Sequence, residues 1–284
     1  MGIYDPTKTA DNEFIASTLI TTNLTDIICQ QERNLDRYDK VGVVAAIKEV
    51  RATKIQVQEE QLKEVLDLVG NKMKRILELS QEKGAGSWLT TVPTKSLGFS
   101  LNKQEFRDSI CLRYGWRVPN TPSHCQCGKK NDGDHALQCP NGGYVKMRHD
   151  RLRDLEAEMM HEVCKDVKIE PRLLPLAIND NVDGNITENA RADVSGVGVW
   201  APMERTFLDI HVFHPNCKTY VGRKVAKIYK EKEQGKKRAY NERIIQVEKG
   251  TFTPVVFSTF GGMGQEADRA RFCLLYTSPS PRDS

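Results

Sequence analysis

A chain of 284 residues with 39% hydrophobic side chains can bury one large core or two modest ones, so it is globular in the main. No run approaches the roughly 18 consecutive apolar residues of a membrane span, and no basic segment leads into an apolar one at the N-terminus, so the expectation is an intracellular protein without a secretory signal. The formal net charge of +4 does not by itself argue for a polyanion partner, and eight cysteines, three of them within fifteen residues, suit metal ligation better than a secreted disulfide scaffold.

In chain order, the turn-like opening Met1 to Pro6 reads as if the chain enters mid-protein. Helical periodicity covers 10–31 and 40–81, with Val57, Leu62, Leu66, Val69, Met73 and Ile76 on one apolar stripe. Lys83-Gly84-Ala85-Gly86 breaks the pattern, Ser87 caps a short segment stopped by Pro93, and a further helix is predicted over 102–114. Gly115, Pro119, Pro122 and the cysteines mark a domain joint. Beyond it come a helix over 144–165, an extended piece at Ile169-Glu170-Pro171 and a polar loop over 179–189. Strands over 192–200 and 206–213 are joined as a hairpin by 201–204, and a basic helix, a strand-like run over 251–260 and a last helix complete an α/β pattern. Residues 273–284, rich in Ser and Pro and resembling translated adaptor sequence, are set aside from the fold.

The first constellation is Cys125-x-Cys127-x7-His135-x3-Cys139. Two thiolates one residue apart grip a metal from a tight turn, and Gly128 and Asp132-Gly133 permit the reversal. His135 and Cys139, four apart, share one face of a helical turn. The set predicts a structural Zn²⁺ site, with His124 as a substitute ligand and buried reduced cysteines as the alternative. Cys29, Cys111, Cys164 and Cys217 stand alone and read as small core residues.

The second is Arg191-Ala192-Asp193 followed, after fifteen residues, by Leu208-Asp209-Ile210-His211-Val212. Acids on paired strands can converge on one hard divalent cation, Mg²⁺ or Mn²⁺, and strand alternation puts Asp209 and His211 on one face. Solvated strand-end aspartates would show the same spacing, and Asp209, His211 and His214 form an alternative transition-metal set. Glu170 is a candidate third acid. Between residues 217 and 249, eleven Lys or Arg face four Glu, so Lys224, Lys227 and Lys230 are candidate phosphate contacts, an ordinary solvated helix face being the alternative. Gly261-Gly262-Met263-Gly264 lacks the Lys-Ser/Thr end of a phosphate loop, and no G-x-S-x-G is present.

Taken in order, a Cys-Cys-His-Cys knuckle, Arg148-His149-Asp150 opening a helix, and an Arg-x-Asp strand paired with an Asp strand resemble the restriction-like endonuclease region of site-specific non-LTR retrotransposons. The opening Gly2-Ile3-Tyr4-Asp5-Pro6-Thr7 and the helices after it resemble the end of a reverse-transcriptase thumb, so the likeness reaches to about residue 272. It implies a helical region at 1–84, a linker at 85–120, a zinc knuckle at 121–143 and, at 144–272, a PD-(D/E)xK core of mixed sheet flanked by helices. It further implies Mg²⁺ on Asp193 and Asp209, phosphate contacts from Arg148 and His149, for which a salt bridge at the helix N-terminus is the alternative, a DNA target, element RNA, a linked reverse transcriptase and a nuclear location. The chain departs from the family pattern at Ala192, where a proline is usual, in a slightly longer interval between the acids, and at His211, where the broad superfamily has its lysine. In the retrotransposon branch the following helix often supplies that lysine, which points to Lys236 and Lys237 ahead of Tyr240. The reading from another class is a zinc-stabilised nucleic-acid-binding module that cleaves nothing.

Overall fold

The computed structural model describes residues 6–31, 39–174 and 190–277, and the expected loop at 179–189 lies outside them. The chain divides into two compact units, Met1–Leu77 and Glu78–Ser284. In the first, α1 (Pro6–Cys29) lies antiparallel to α2 (Lys40–Leu68): the Asp39 N–H donates to Asn23 at 3.0 Å, and Lys54 meets Glu13 at 2.7 Å. Asp39 caps α2 by accepting the Gly42 N–H at 2.8 Å. The single helix expected over 40–81 is in fact two. Val69 turns extended (ψ 150°) ahead of Gly70, the residue with the most backbone freedom to lose in a helix, and α3 (Asn71–Ser80) starts afresh across the boundary between the units.

The second unit opens with α4 (Ser87–Thr90), a 3₁₀ turn at Lys95–Leu97 and α5 (Lys103–Arg113). Asn102 and Glu105 form a reciprocal capping box that fixes the start of α5. α6 (Gly133–Ala136) is one turn inside the cysteine segment, and α7 (Tyr144–Val163) follows. The strands are β1 (Lys165–Ile169), β2 (Val194–Val197), β3 (Arg205–Phe213) and β4 (Thr251–Ser258). α8 (Val225–Arg243) crosses between β3 and β4, a π turn (Ile244–Glu248) leads into β4, and α9 (Gln265–Thr277) ends the described chain.

The four strands make a mixed sheet in the order β1-β2-β3-β4, antiparallel for the first two pairs and parallel for β3 and β4. The hairpin between β2 and β3 matches expectation, and Gly198 at φ +110° makes its turn, a conformation side chains resist. β1 begins at Lys165, which the helical pattern had claimed for α7. A chain that pairs with Val197 satisfies its backbone in the sheet instead.

Both faces of the sheet are covered. Leu208 and Ile210 of β3 join Val194, Val255 and Phe257 in a core with Ala157 and Met160 of α7 and Ala267 and Leu274 of α9. Leu274 is only 4% exposed and the Cys273 thiol donates to the Val199 carbonyl, so the fold continues past residue 272, where it was expected to stop. On the other face, two smaller clusters bracket the middle of β3. Phe213 packs with Ile228 and Tyr229, and Phe207 packs with Ile244, Phe252 and Tyr240. Between them this face carries Asp209 and His211.

Candidate functional site

Alternation along β3 sends Phe207, Asp209, His211 and Phe213 towards α8. α8 answers with Ile228, Lys232, Lys236, Tyr240 and, just beyond its end, Ile244, each four residues after the last. Side chains four apart share a helix face, so apolar rungs hold the ends of the ladder while polar ones fill its middle.

Asp193 lies one residue outside the Val194–Leu208 pair and so comes level with Asp209 on the neighbouring strand. Its N–H donates to the Leu208 carbonyl at 3.0 Å, and its Oδ2 accepts the Ile210 N–H at 2.6 Å. His149 of α7 places Nε2 3.3 Å from the same oxygen and Nδ1 3.5 Å from Asp150, and the contact with Asp193 raises the imidazole pKa above its usual 6.5. Asp209 is 4% exposed, and burial raises its pKa against the opposing pull of Lys236, whose Nζ stands 2.5 Å from Oδ2. Lys236 thus meets that buried oxygen as a close ion pair. Tyr240 bonds Asp209 through its side chain, stacks on Phe252 at 5.2 Å, and has its own pKa pushed up to about 12 by burial and the nearby carboxylate.

Two carboxylates at level positions on paired strands, one of them buried, offer the oxygen ligands that a hard divalent cation prefers. In the imidazole alternative, His214 is engaged on both nitrogens, by Thr259 at 2.7 Å and Asp134 at 3.1 Å, and neither Asp209, His211 and His214 nor Asp193, Asp209 and Glu170 form a three-ligand group among the described residues. His211 stays uncharged: burial, then Lys232 and Lys236, lower its pKa to about 4. Glu170 is placed beside Asp193, its N–H donating to the Asp193 carbonyl at 2.8 Å, but its carboxylate is taken by Arg153 at 2.5 Å and Arg191 at 3.2 Å.

Other expected site residues are placed differently. Lys237, next to Lys236, faces about 100° further round the helix, since 3.6 residues make a turn, and pairs with Glu266 of α9 at 2.9 Å. Arg148 is half-buried and donates to the Leu137 carbonyl at 3.2 Å, tying α7 to the cysteine segment. Lys224, Lys227 and Lys230 are exposed on α8. Lys232, which sequence reasoning overlooked, joins the ladder, and the four-residue stripe through α8 was the signal for it.

In the cysteine segment, His124 and Lys130 bridge a tight hairpin whose turn, Cys125 to Gly128, is closed by the Gly128 N–H on the Cys125 carbonyl at 2.9 Å. Asp132 caps α6 through the His135 N–H at 2.7 Å, and the Cys139 N–H donates to the His135 carbonyl at 2.9 Å. The ligand atoms of Cys125, Cys127, His135 and Cys139 lie within 4.8 Å of one another and form a metal-compatible cluster. The Cys125 and Cys139 sulfurs are 3.7 Å apart, close to the edge of a tetrahedron built on metal–sulfur bonds of about 2.3 Å. The Cys127 backbone N–H, then the His135 side chain, lower the Cys125 thiol pKa to about 6, which favours the thiolate a metal needs. His124 stands outside the group, hydrogen-bonded to Ser123 at 3.1 Å. Compared with known proteins, the chain matches no protein-family model and no curated protein sequence.

Proposed function

We propose that this chain is the C-terminal part of a non-LTR retrotransposon reverse-transcriptase protein, and that its second unit nicks target DNA by metal-dependent phosphodiester hydrolysis. The observation that carries the reading is the meeting of Asp193 and Asp209 on paired strands with Lys236 of the next helix 2.5 Å from Asp209. The order α7-β1-β2-β3-α8-β4 around a mixed sheet supports a restriction-like PD-(D/E)xK core, and the Cys₃His cluster supports a zinc knuckle ahead of it. Apolar side chains left exposed on α1 and α2, among them Phe14, Ile15, Val41 and Ile55, suit burial against a linked reverse transcriptase. Target DNA, element RNA and a nuclear location follow from the same reading.

Asp193 and Asp209 would hold Mg²⁺ or Mn²⁺, which supplies polarisation of the scissile phosphate and a bound water of lowered pKa. Lys236 has the charge and reach to orient the attacking water and offset the negative charge that grows on the phosphate. Tyr240 fixes the Asp209 carboxylate, and the Ile210 N–H and His149 fix that of Asp193. The cut leaves a 3′-hydroxyl for the linked polymerase to extend.

Nicking of supercoiled plasmid with Mg²⁺ tests the reading. The parent chain is expected to nick, and Asp193→Ala and Asp209→Ala to be slower by on the order of 100-fold or more while still binding DNA. Equal rates in parent and variants place the nuclease elsewhere. A parent that binds DNA with steep salt dependence and nicks nothing is a nucleic-acid-binding module.

A further inference from the structure

The ladder between β3 and α8 has two polar rungs, and the carboxylate chemistry uses one. α8 follows β3 and leads into its parallel neighbour β4, so it must run back against β3. Going from Asp209 to His211 climbs about 6.6 Å along the strand, and going back from Lys236 to Lys232 descends the helix by about 6 Å. Lys236 being pinned to Asp209, Lys232 is therefore brought over His211. The two apolar rungs agree with this register, since Ile228 packs with Phe213 above and Tyr240 with Phe207 below.

The rungs differ in charge. Lys236 is neutralised by Asp209, whereas Lys232 makes no ion pair with a carboxylate among the described residues, and the neighbouring Glu231 is paired with Arg223. Lys232 Nζ stands instead 5.5 Å over the Tyr220 ring, which Phe213 supports edge-on at 5.8 Å. Its partner on the strand, His211, offers an imidazole, whose ring carries an N–H to donate in either tautomer. A half-buried ammonium that makes no ion pair among the described residues, beside an imidazole donor, is a place for an anion.

We propose that Lys232 and His211 form a phosphate subsite that holds the phosphodiester adjacent to the one cut. It rests on the nuclease reading for the word "cut", but the anion site itself does not. Lys232 supplies the charge, His211 the directed hydrogen bond, and Tyr220 the platform that keeps the lysine stem from folding away. A strand held at both rungs is gripped at two successive phosphates, which fixes the scissile one in line with Asp209.

Fluorescence anisotropy with a labelled duplex oligonucleotide, in Ca²⁺ so that nothing is cleaved, tests it across a series of KCl concentrations. Loss of one phosphate contact lowers the slope of log affinity against log salt by about one. Lys232→Ala is expected to do this, Lys232→Arg to restore most of the slope, and His211→Phe to weaken binding several-fold where His211→Gln does not. Because both groups grip one phosphate, the double variant Lys232→Ala/His211→Phe should weaken binding by less than the product of the two single effects. An unchanged slope in a Lys232→Ala protein with the parental circular dichroism spectrum overturns the proposal, as do fully multiplicative effects in the double variant. If Lys232→Ala loses its unit of slope while the parent nicks no plasmid, the nuclease reading fails and the phosphate subsite stands.

Discussion

Asp193 and Asp209 were legible from sequence because strand alternation and a short hairpin fix which side chains can meet, and both quantities are local. The lysine was not. Lys236 and Lys237 are equivalent as letters, and only the rotational setting of α8 against the sheet sends one to Asp209 and the other to Glu266. Single-turnover cleavage should therefore separate them: Lys236→Ala slower by on the order of 100-fold, Lys237→Ala within a few-fold of the parent. The opposite ranking would mean that the helix turns before it cuts. Arg148 shows the same limit: one of its guanidinium N–H groups donates to the Leu137 carbonyl, and such a partner leaves no mark on the local sequence.

At the scale of elements, the alternating and four-residue patterns located β2, β3, β4 and the long helices of the second unit, but missed most of β1, and boundaries failed where tertiary pairing overrode them. Lys165 left its helix for a strand partner, and Leu274 was drawn into the core. In the cysteine segment, the grouping of Cys125, Cys127, His135 and Cys139 was legible from spacing, because a tight turn and one helical turn are local and fix which of these side chains can meet. Elemental analysis should find about one zinc per chain, and none in a Cys127→Ser/Cys139→Ser double variant. Metal content unchanged by those substitutions would refute the assignment. The segment is also tied to the sheet: Asp134, beside the ligand His135, holds His214 at the end of β3, so zinc removal should lower the melting temperature of the whole second unit and not of the segment alone. Two separate transitions in calorimetry would show that the tie is weak.

For the molecule as a whole, the division after Leu77 places α1, α2 and most of α3 in one unit, and the linker, cysteine segment and sheet in a larger one. Glu82 accepts from Tyr229 at 2.9 Å across 147 positions of sequence, a closure no local pattern announces. Within that unit α8 is clamped at both ends, by Ile228 in one apolar cluster and by Tyr240 and Ile244 in the other. A rod clamped twice can neither slide nor spin, so its angular phase is a property of length alone. One alanine inserted after Gly235 leaves every side chain of the site in place by name, yet turns Lys232 about 100° out of phase with Lys236 and lengthens the rod by about 1.5 Å. Helical content by circular dichroism should barely change while nicking falls to the level of Asp209→Ala. Unimpaired nicking would show that the clamps yield. Drift in this region by insertion and deletion is thus far more dangerous to the protein than drift by substitution, and the spacing along α8 is as much a part of the site as the two aspartates.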